Sequence, residues 1–166
     1  MTKFITHVAL YCQDLQKSID WYDHIFGMKI IASSPGRFAA LSFGEKHHDL
    51  ALVQAPADFG PPEIKKAGLY HISIDTGSFD NSMRAYERTL DLHATVEKVI
   101  DHRLGHGIYI RDPDLNLIEL WSESYPSYAE AIDSISKMDP PFPENPVGWY
   151  LNIDDVYKKW KEEQGQ

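Results

Sequence analysis

Residues 108–121 read IYIRDPDLNLIELW, and they decide the fold. Asp112-Pro113-Asp114 breaks the stretch into two short apolar runs, since proline cannot continue a strand ladder and aspartate favours turns. The second run, Asn116 to Trp121, has the composition of a buried strand with Glu119 in its middle. Alternation puts Leu117, Glu119 and Trp121 on one face and Ile118 and Leu120 on the other. A buried carboxylate without a partner costs several kcal/mol, so Glu119 requires a cation, a hydrogen-bond network or a wet cavity. The rest of the chain supplies candidates for that partner.

Working backwards, Leu69 to Asp75 (LYHISID) reads as a strand containing His71, and Ser78 to Leu90 as a helix. Ala94 to Ile100, Gly107 to Arg111 and Asn116 to Trp121 then follow as three strands. The same order occurs earlier in the chain. Phe4 to Tyr11 (FITHVALY) reads as a strand containing His7. Asp14 is positioned to cap a helix with a stripe at Leu15, Ser18, Ile19, Tyr22 and Phe26 that ends at Gly27. Three strands follow at Met28 to Ser33, Arg37 to Phe43 and Asp49 to Gln54. A shift of 64 lays His71 on His7, Ile74 on Leu10, Ser82 on Ser18, Tyr86 on Tyr22 and Leu90 on Phe26. The chain is therefore an internal repeat. We read it as one α+β domain of two βαβββ modules, at 1–56 and 68–122, that share a curled, sheet-lined, half-barrel cavity. A proline-containing linker at 57–67 joins the modules. A C-terminal extension at 123–166 adds a helix at Tyr128 to Met138, a stiff proline-rich piece from Asp139, and a short polar helix at Val156 to Glu163.

Composition removes several classes of function. The 166 residues suffice for one domain with a sizeable core, and 43% hydrophobic with 12% aromatic content argues against disorder. A net charge of −9 without a basic patch speaks against nucleic acid or an anionic membrane as partner. No apolar run of transmembrane length and no signal-type segment after Met1 occur, so the expected location is the cytoplasm. The single Cys12 cannot form an internal disulfide and reads as a small buried residue.

The repeat gives His7 and His71 equivalent places in the first strands of the two modules, with Glu119 in the last strand of the second. If a pseudo-twofold relates the modules, both histidines approach its axis. Two histidines and one carboxylate on one side of a divalent ion form the facial triad of non-haem iron sites, with positions left open for ligands. A lone histidine in a strand packs in many cores; the matched pair together with an unexplained buried glutamate points to a metal. His47 and His48 precede the strand Asp49 to Gln54, and His102 and Tyr109 flank the hairpin of the second module. Each reads either as an exposed loop residue or, for Tyr109, a packed ring, or else as a polar group at the cavity mouth. Tyr11, Phe43, Tyr70 and Trp121 are candidate aromatic walls. His24, His93 and His106 have no matching partner and read as surface or supporting residues.

The paired βαβββ repeat over residues 4–122 resembles the vicinal oxygen chelate superfamily of glyoxalase I, fosfomycin-resistance enzymes, bleomycin-resistance proteins and extradiol dioxygenases. Within it, Ile100-x-His102, then Ile108-Tyr109, Asp112-Pro113 and Glu119 resemble the type I extradiol dioxygenase signature, which Leu115 departs from where glycine or proline is preferred. The resemblance implies Fe(II), with Mn(II) as the alternative, held by His7, His71 and Glu119. It also implies acid–base or hydrogen-bonding roles for His48, His102 and Tyr109, a small aromatic catechol and O2 as substrates, and a homo-oligomer in which modules can exchange between subunits. Sliding Asp49-Leu-Ala-Leu-Val onto Leu117-Ile-Glu-Leu-Trp sets Ala51 opposite Glu119, where glyoxalase I enzymes generally supply a fourth ligand. The alternatives are a glyoxalase-type lyase or isomerase, a fosfomycin-resistance-type thiol transferase, and a metal-free drug-binding protein.

Overall fold

A computed structural model describes residues 5–60 and 67–165. The expected first strand residue at position 4 and most of the expected linker lie outside the described residues. The chain divides into two compact units: residues 1–68 with 112–116, and residues 69–111 with 117–166.

In the first unit β1 (Val8–Cys12) leads into α1 (Leu15–Phe26), followed by β2 (Lys29–Ser34), β3 (Phe38–Ser42) and β4 (Leu50–Gln54). The helix starts where Asp14 accepts a hydrogen bond from the Lys17 amide, and it stops at Gly27, whose φ of 71° suits a residue without a Cβ. Of the stripe read from the sequence, Leu15, Ser18, Ile19 and Tyr22 are buried together with Trp21 and Ile25, while Phe26, at the helix end, is only half-buried. Tyr22 and Ile25 join Leu41 and Leu52 among the fully buried side chains of this unit. The sheet order is β1-β4-β3-β2, with β1 parallel to β4 and the other pairs antiparallel.

The second unit repeats this plan with β5 (Ile72–Asp75), α2 (Phe79–Asp91), β6 (Val96–Asp101), β7 (Gly105–Arg111) and β8 (Leu117–Glu123). Ser78 caps α2 by accepting from the Asn81 amide. The order β5-β8-β7-β6 mirrors that of the first sheet. Register confirms the repeat at residue level: Ala9 pairs with Ala51 in one sheet, and Ser73 with Glu119 in the other. Ala51 thus holds the position in β4 that Glu119 holds in β8.

The extension departs from expectation. Both expected helices form with shifted bounds, α3 (Tyr128–Ile135) ending three residues earlier and α4 (Ile153–Glu163) starting three residues earlier than read, but Trp149–Leu151 makes a further strand, β9, on the open edge of β6. The extension therefore builds the second sheet instead of merely lying over a surface. Helix α4 is tied to α2 by Trp160 Nε1 donating to Asp80 at 3.0 Å and by Lys161 pairing with Glu87 at 2.7 Å. No helix among the described residues is long and apolar enough to cross a membrane.

Candidate metal centre and proton relay

Both repeat histidines sit one residue before their strands, not within them as the sequence suggested: His7 precedes β1 and His71 precedes β5. The equivalence survives the shift. A residue at a strand entrance has no ladder neighbours on both sides, so its ring can swing toward whatever the sheet face presents.

In the second unit the face shared by His71, Ser73, Glu119 and Tyr109 is set by pairing: Ser73 opposes Glu119, and Glu119 opposes Tyr109. Glu119 is 4% exposed. Its Oε2 lies 3.3 Å from His71 Nε2 and its Oε1 lies 3.6 Å from His102 Nε2. His102 Nε2 is in turn 2.9 Å from the Tyr109 hydroxyl. Among the described residues no lysine or arginine pairs with Glu119, so this buried carboxylate faces two imidazoles and a phenol. The sequence question of what Glu119 binds is answered in part by these three groups. None of them carries a fixed positive charge.

The Tyr109 phenol is pushed well up from its usual range, first by burial and then by the Glu119 carboxylate beside it, and stays a hydroxyl. Burial lowers the His102 imidazole more than the attraction of Glu119 raises it, which keeps the ring neutral near pH 7. His71 is steadied by edge contacts with the rings of Tyr70 at 5.0 Å and Tyr109 at 5.4 Å, while its Nδ1 is buried without a hydrogen-bond partner among the described residues. Lys98 sits over the rings of both Tyr70 and Tyr109, at 4.8 and 4.6 Å, and donates to the Tyr70 hydroxyl.

The donor set suits a divalent ion. Two donors bound to one ion at about 2.0–2.2 Å stand roughly 2.9–3.6 Å apart at right-angle to tetrahedral openings. The 3.3 Å between His71 Nε2 and Glu119 Oε2 falls in that span. An imidazole nitrogen and a carboxylate oxygen at that spacing are donor types that Fe(II), Mn(II) or Zn(II) accept. Neither unit by itself gathers three histidine, cysteine, aspartate or glutamate side chains suited to one ion among its described residues.

Gly107 was missed in reading the sequence, although a glycine inside a strand is a signal for close approach. A Cβ there would collide with Glu119 Oε1 and come within 3.1 Å of its carboxyl carbon. The missing side chain is what gives the carboxylate its room. Gly105 does the same for the Trp121 ring. Trp121 is turned to donate to Glu123 at 2.9 Å and lies 5.7 Å from the His102 ring. His106 points to the opposite face of β7, where it meets Phe79 at 5.0 Å and lines a cavity of about 280 Å³ with Leu151 and Trp160.

In the first unit His7 and His48 come together, ring centres 4.3 Å apart, with His47 beside His48. Partial desolvation, then His47 and His7, lower the His48 imidazole from its ordinary value. Tyr11 packs on Phe59 at 5.1 Å, and Phe43 is exposed. Cys12 is buried and its thiol is pushed up to about 12, chiefly by burial, which makes it inert.

Asp112 and Asp114 serve structure. Asp112 accepts from the Asp114 and Asn116 amides, from Asn116 Nδ2 and from the Tyr22 hydroxyl, at 2.8–3.0 Å. Asp114 accepts from the Gln13 amide at 2.7 Å and from Ser18 Oγ at 3.0 Å. The turn between β7 and β8 thus belongs to the first unit and holds its helix. Leu115 takes φ +66° in this turn, which accounts for a glycine preference at that position.

Residues 4–120 match the Glyoxalase/Bleomycin resistance protein/Dioxygenase superfamily, and the chain belongs to it. Biphenyl-2,3-diol 1,2-dioxygenase 2 of Rhodococcus globerulus is 26% identical over 93% of this chain and 79% of its own length. Biphenyl-2,3-diol 1,2-dioxygenase 3 of the same organism is 26% identical over 80% and 70%. Among solved structures, a glyoxylase/bleomycin resistance protein/dioxygenase domain from Frankia sp. EAN1pec shares the fold, with a TM-score of 0.63 at 22% identity, over 74% of this chain and 99% of that one.

Proposed function

We propose that this protein is an extradiol ring-cleavage dioxygenase that opens a catecholic ring with O2, using Fe(II), or Mn(II) in its place, held by His7, His71 and Glu119. The observation that carries the reading is Glu119: a buried carboxylate whose neighbours are two imidazoles and a phenol, with no lysine or arginine among the described residues paired to it. A divalent ion satisfies that charge, and when bound it supplies open positions where two vicinal substrate oxygens and O2 meet. The relatives named as biphenyl-diol dioxygenases lend the substrate class.

This chain's own residues then handle protons and position. The Tyr109 hydroxyl, kept protonated, offers a hydrogen bond to a substrate oxygen. His102 Nε2, 2.9 Å from that hydroxyl, shares a hydrogen bond with it and holds it in position. His48, neutral beside His7, takes a catechol proton on its ring and returns it as the ring opens. Both atoms of O2 end in the ring-opened acid. Ala51, at the position of Glu119 in the other sheet, brings no fourth ligand and so leaves room for substrate.

The test is anaerobic loading with Fe(II), metal analysis, and oxygen uptake with catechol and 2,3-dihydroxybiphenyl, following the yellow product. Stoichiometric oxygen uptake with loss of the catechol supports the reading. Protein that holds iron one-to-one yet consumes no oxygen with any catechol of the panel overturns it.

A further inference from the structure

The C-terminal extension walls a cavity on the side of the second sheet that faces away from Glu119. Strand β7 alternates, so Gly107 and Tyr109 lie on the Glu119 face while His106, Ile108 and Ile110 lie on the other. Ile108 and Ile110 are fully buried, and His106 is the polar member of that row. Helix α4 turns one stripe toward it: Val156, Lys159, Trp160 and Glu163, at helical spacing, line the cavity. Phe79 at the start of α2, His106 and Leu151 of β9 supply the other walls, around about 280 Å³.

These walls are held in place by bonds outside the cavity. Trp160 is 4% exposed and its Nε1 donates to Asp80 Oδ1 at 3.0 Å. The Tyr157 hydroxyl donates to Glu87 at 3.0 Å, and Lys161 pairs with the same carboxylate at 2.7 Å. Inside, the half-buried His106 ring meets Phe79 at 5.0 Å and has no hydrogen-bond or ion-pair partner among the described residues. Its ladder neighbour Ser122 is fully buried, and its Oγ also lacks a partner among the described residues. One rung of the sheet therefore carries two polar side chains that the fold leaves unsatisfied, an arrangement that is costly without a polar occupant. Lys159 and Glu163 stand one helical turn apart, Nζ 4.0 Å from Oε1, so the charges at the cavity cancel.

We propose that this cavity is a binding site for a small, neutral, flat aromatic molecule that carries a hydroxyl group. The rings of Phe79 and Trp160, with the aliphatic Leu151 and Val156, suit a flat apolar body. A hydroxyl both donates and accepts, so it pairs with a neutral His106 in either tautomer. A charged ligand would give up its hydration in a site with no net charge to repay it. The volume lies at the lower end for small-molecule sites, which suits one or two rings. The site is on the opposite side of the sheet from Glu119 and stands whether or not the chain cleaves catechols.

The experiment titrates the full chain with 2-naphthol, naphthalene and 2-naphthoate and follows the Trp160 indole N–H and the His106 ring by NMR. Trp160→Phe and His106→Phe assign the two signals, so binding elsewhere on the chain is not counted. In the wild type 2-naphthol is expected to shift both signals saturably, with Kd below about 1 mM. Naphthalene, which leaves His106 unpaired, is expected to bind about 3–10-fold more weakly, and 2-naphthoate at least about tenfold more weakly. His106→Phe is expected to abolish the preference for 2-naphthol over naphthalene, read at the Trp160 signal. Leu151→Trp, which fills the cavity, is expected to abolish binding of all three. Circular dichroism and urea unfolding check each variant, and if one fails to fold, the wild type's choice among the three probes carries the test. Absence of a saturable shift in the wild type overturns the proposal, as does naphthalene or 2-naphthoate binding as tightly as 2-naphthol. A folded His106→Phe that keeps the preference, or a folded Leu151→Trp that still binds, also overturns it. None of these readouts requires turnover, so an inactive enzyme counts only against the dioxygenase reading.

Discussion

Replacing Gly107 by alanine tests the placement of Glu119 with a single methyl group. The backbone at Gly107 is ordinary strand, so the substitution adds no conformational strain and its whole effect is steric. The new Cβ would occupy the space of Glu119 Oε1 and reach within 3.0 Å of Tyr109 Cε2 and 3.1 Å of Glu119 Cδ. The carboxylate must swing aside by about an ångström or more, since ordinary contact begins near 3.5 Å. Its other oxygen then leaves the 3.3 Å spacing from His71 Nε2 that suits a shared ion. Divalent-metal affinity is expected to fall about 10–100-fold, roughly 1.4–2.7 kcal/mol. Overpacking costs about 1–3 kcal/mol of folding stability, offset in part by the lower entropy of the unfolded alanine chain. Anaerobic Fe(II) titration beside urea unfolding separates the two effects, with Gly68→Ala, whose Cβ meets nothing within 4 Å, as control. A folded Gly107→Ala protein that binds metal within twofold of wild type would remove Glu119 from the ligand set.

Tyr109→Phe and His48→Gln are each expected to leave iron content unchanged and to lower turnover on the order of 10²–10⁴-fold, checked by metal analysis and oxygen uptake. Asp112→Asn should cost about 2–4 kcal/mol in urea unfolding, because the amide sets a donor against the Tyr22 hydroxyl and the turn amides that now find an acceptor. That cost depends on pH. Burial raises the Asp112 carboxyl above its usual value despite bonds from Asn116 and Tyr22, so the folded state holds the proton longer than the unfolded one. Stability from this group is present at low pH and lost as pH rises through the raised value, so the gap between wild type and Asp112→Asn narrows with rising pH. A gap that widens would refute the assignment. Leu115→Gly is expected to stabilise by about 0.5–1 kcal/mol, the relief of a left-handed backbone less the extra entropy of glycine.

Much of this architecture is written locally. The 3.6-residue stripe from Leu15 to Phe26, with Asp14 before it and Gly27 after it, specifies its helix from nearest-neighbour sterics and capping alone. The repeat offset of 64 carries the equivalence of His7 and His71 and survives as matched register at Ala9–Ala51 and Ser73–Glu119. Glu119 was legible as a candidate because a charge amid alternating apolar residues has few inexpensive explanations.

Tertiary structure decided what depends on residues far apart in the chain. The Asp112-Pro113-Asp114 turn read as a break between strands; only folding shows its carboxylates binding Tyr22, Ser18 and Gln13, about a hundred positions earlier. The three residues of β9 carry no periodic signal, and such a short strand exists through the ladder that β6 offers it. The room for the Glu119 carboxylate comes from an absent side chain on the neighbouring strand. The sequence alone determined which elements form and where the costly charge lies, since both follow from local periodicity and desolvation. Which groups meet that charge was decided by strand pairing, because partners there are set by register across a sheet and not by spacing along the chain.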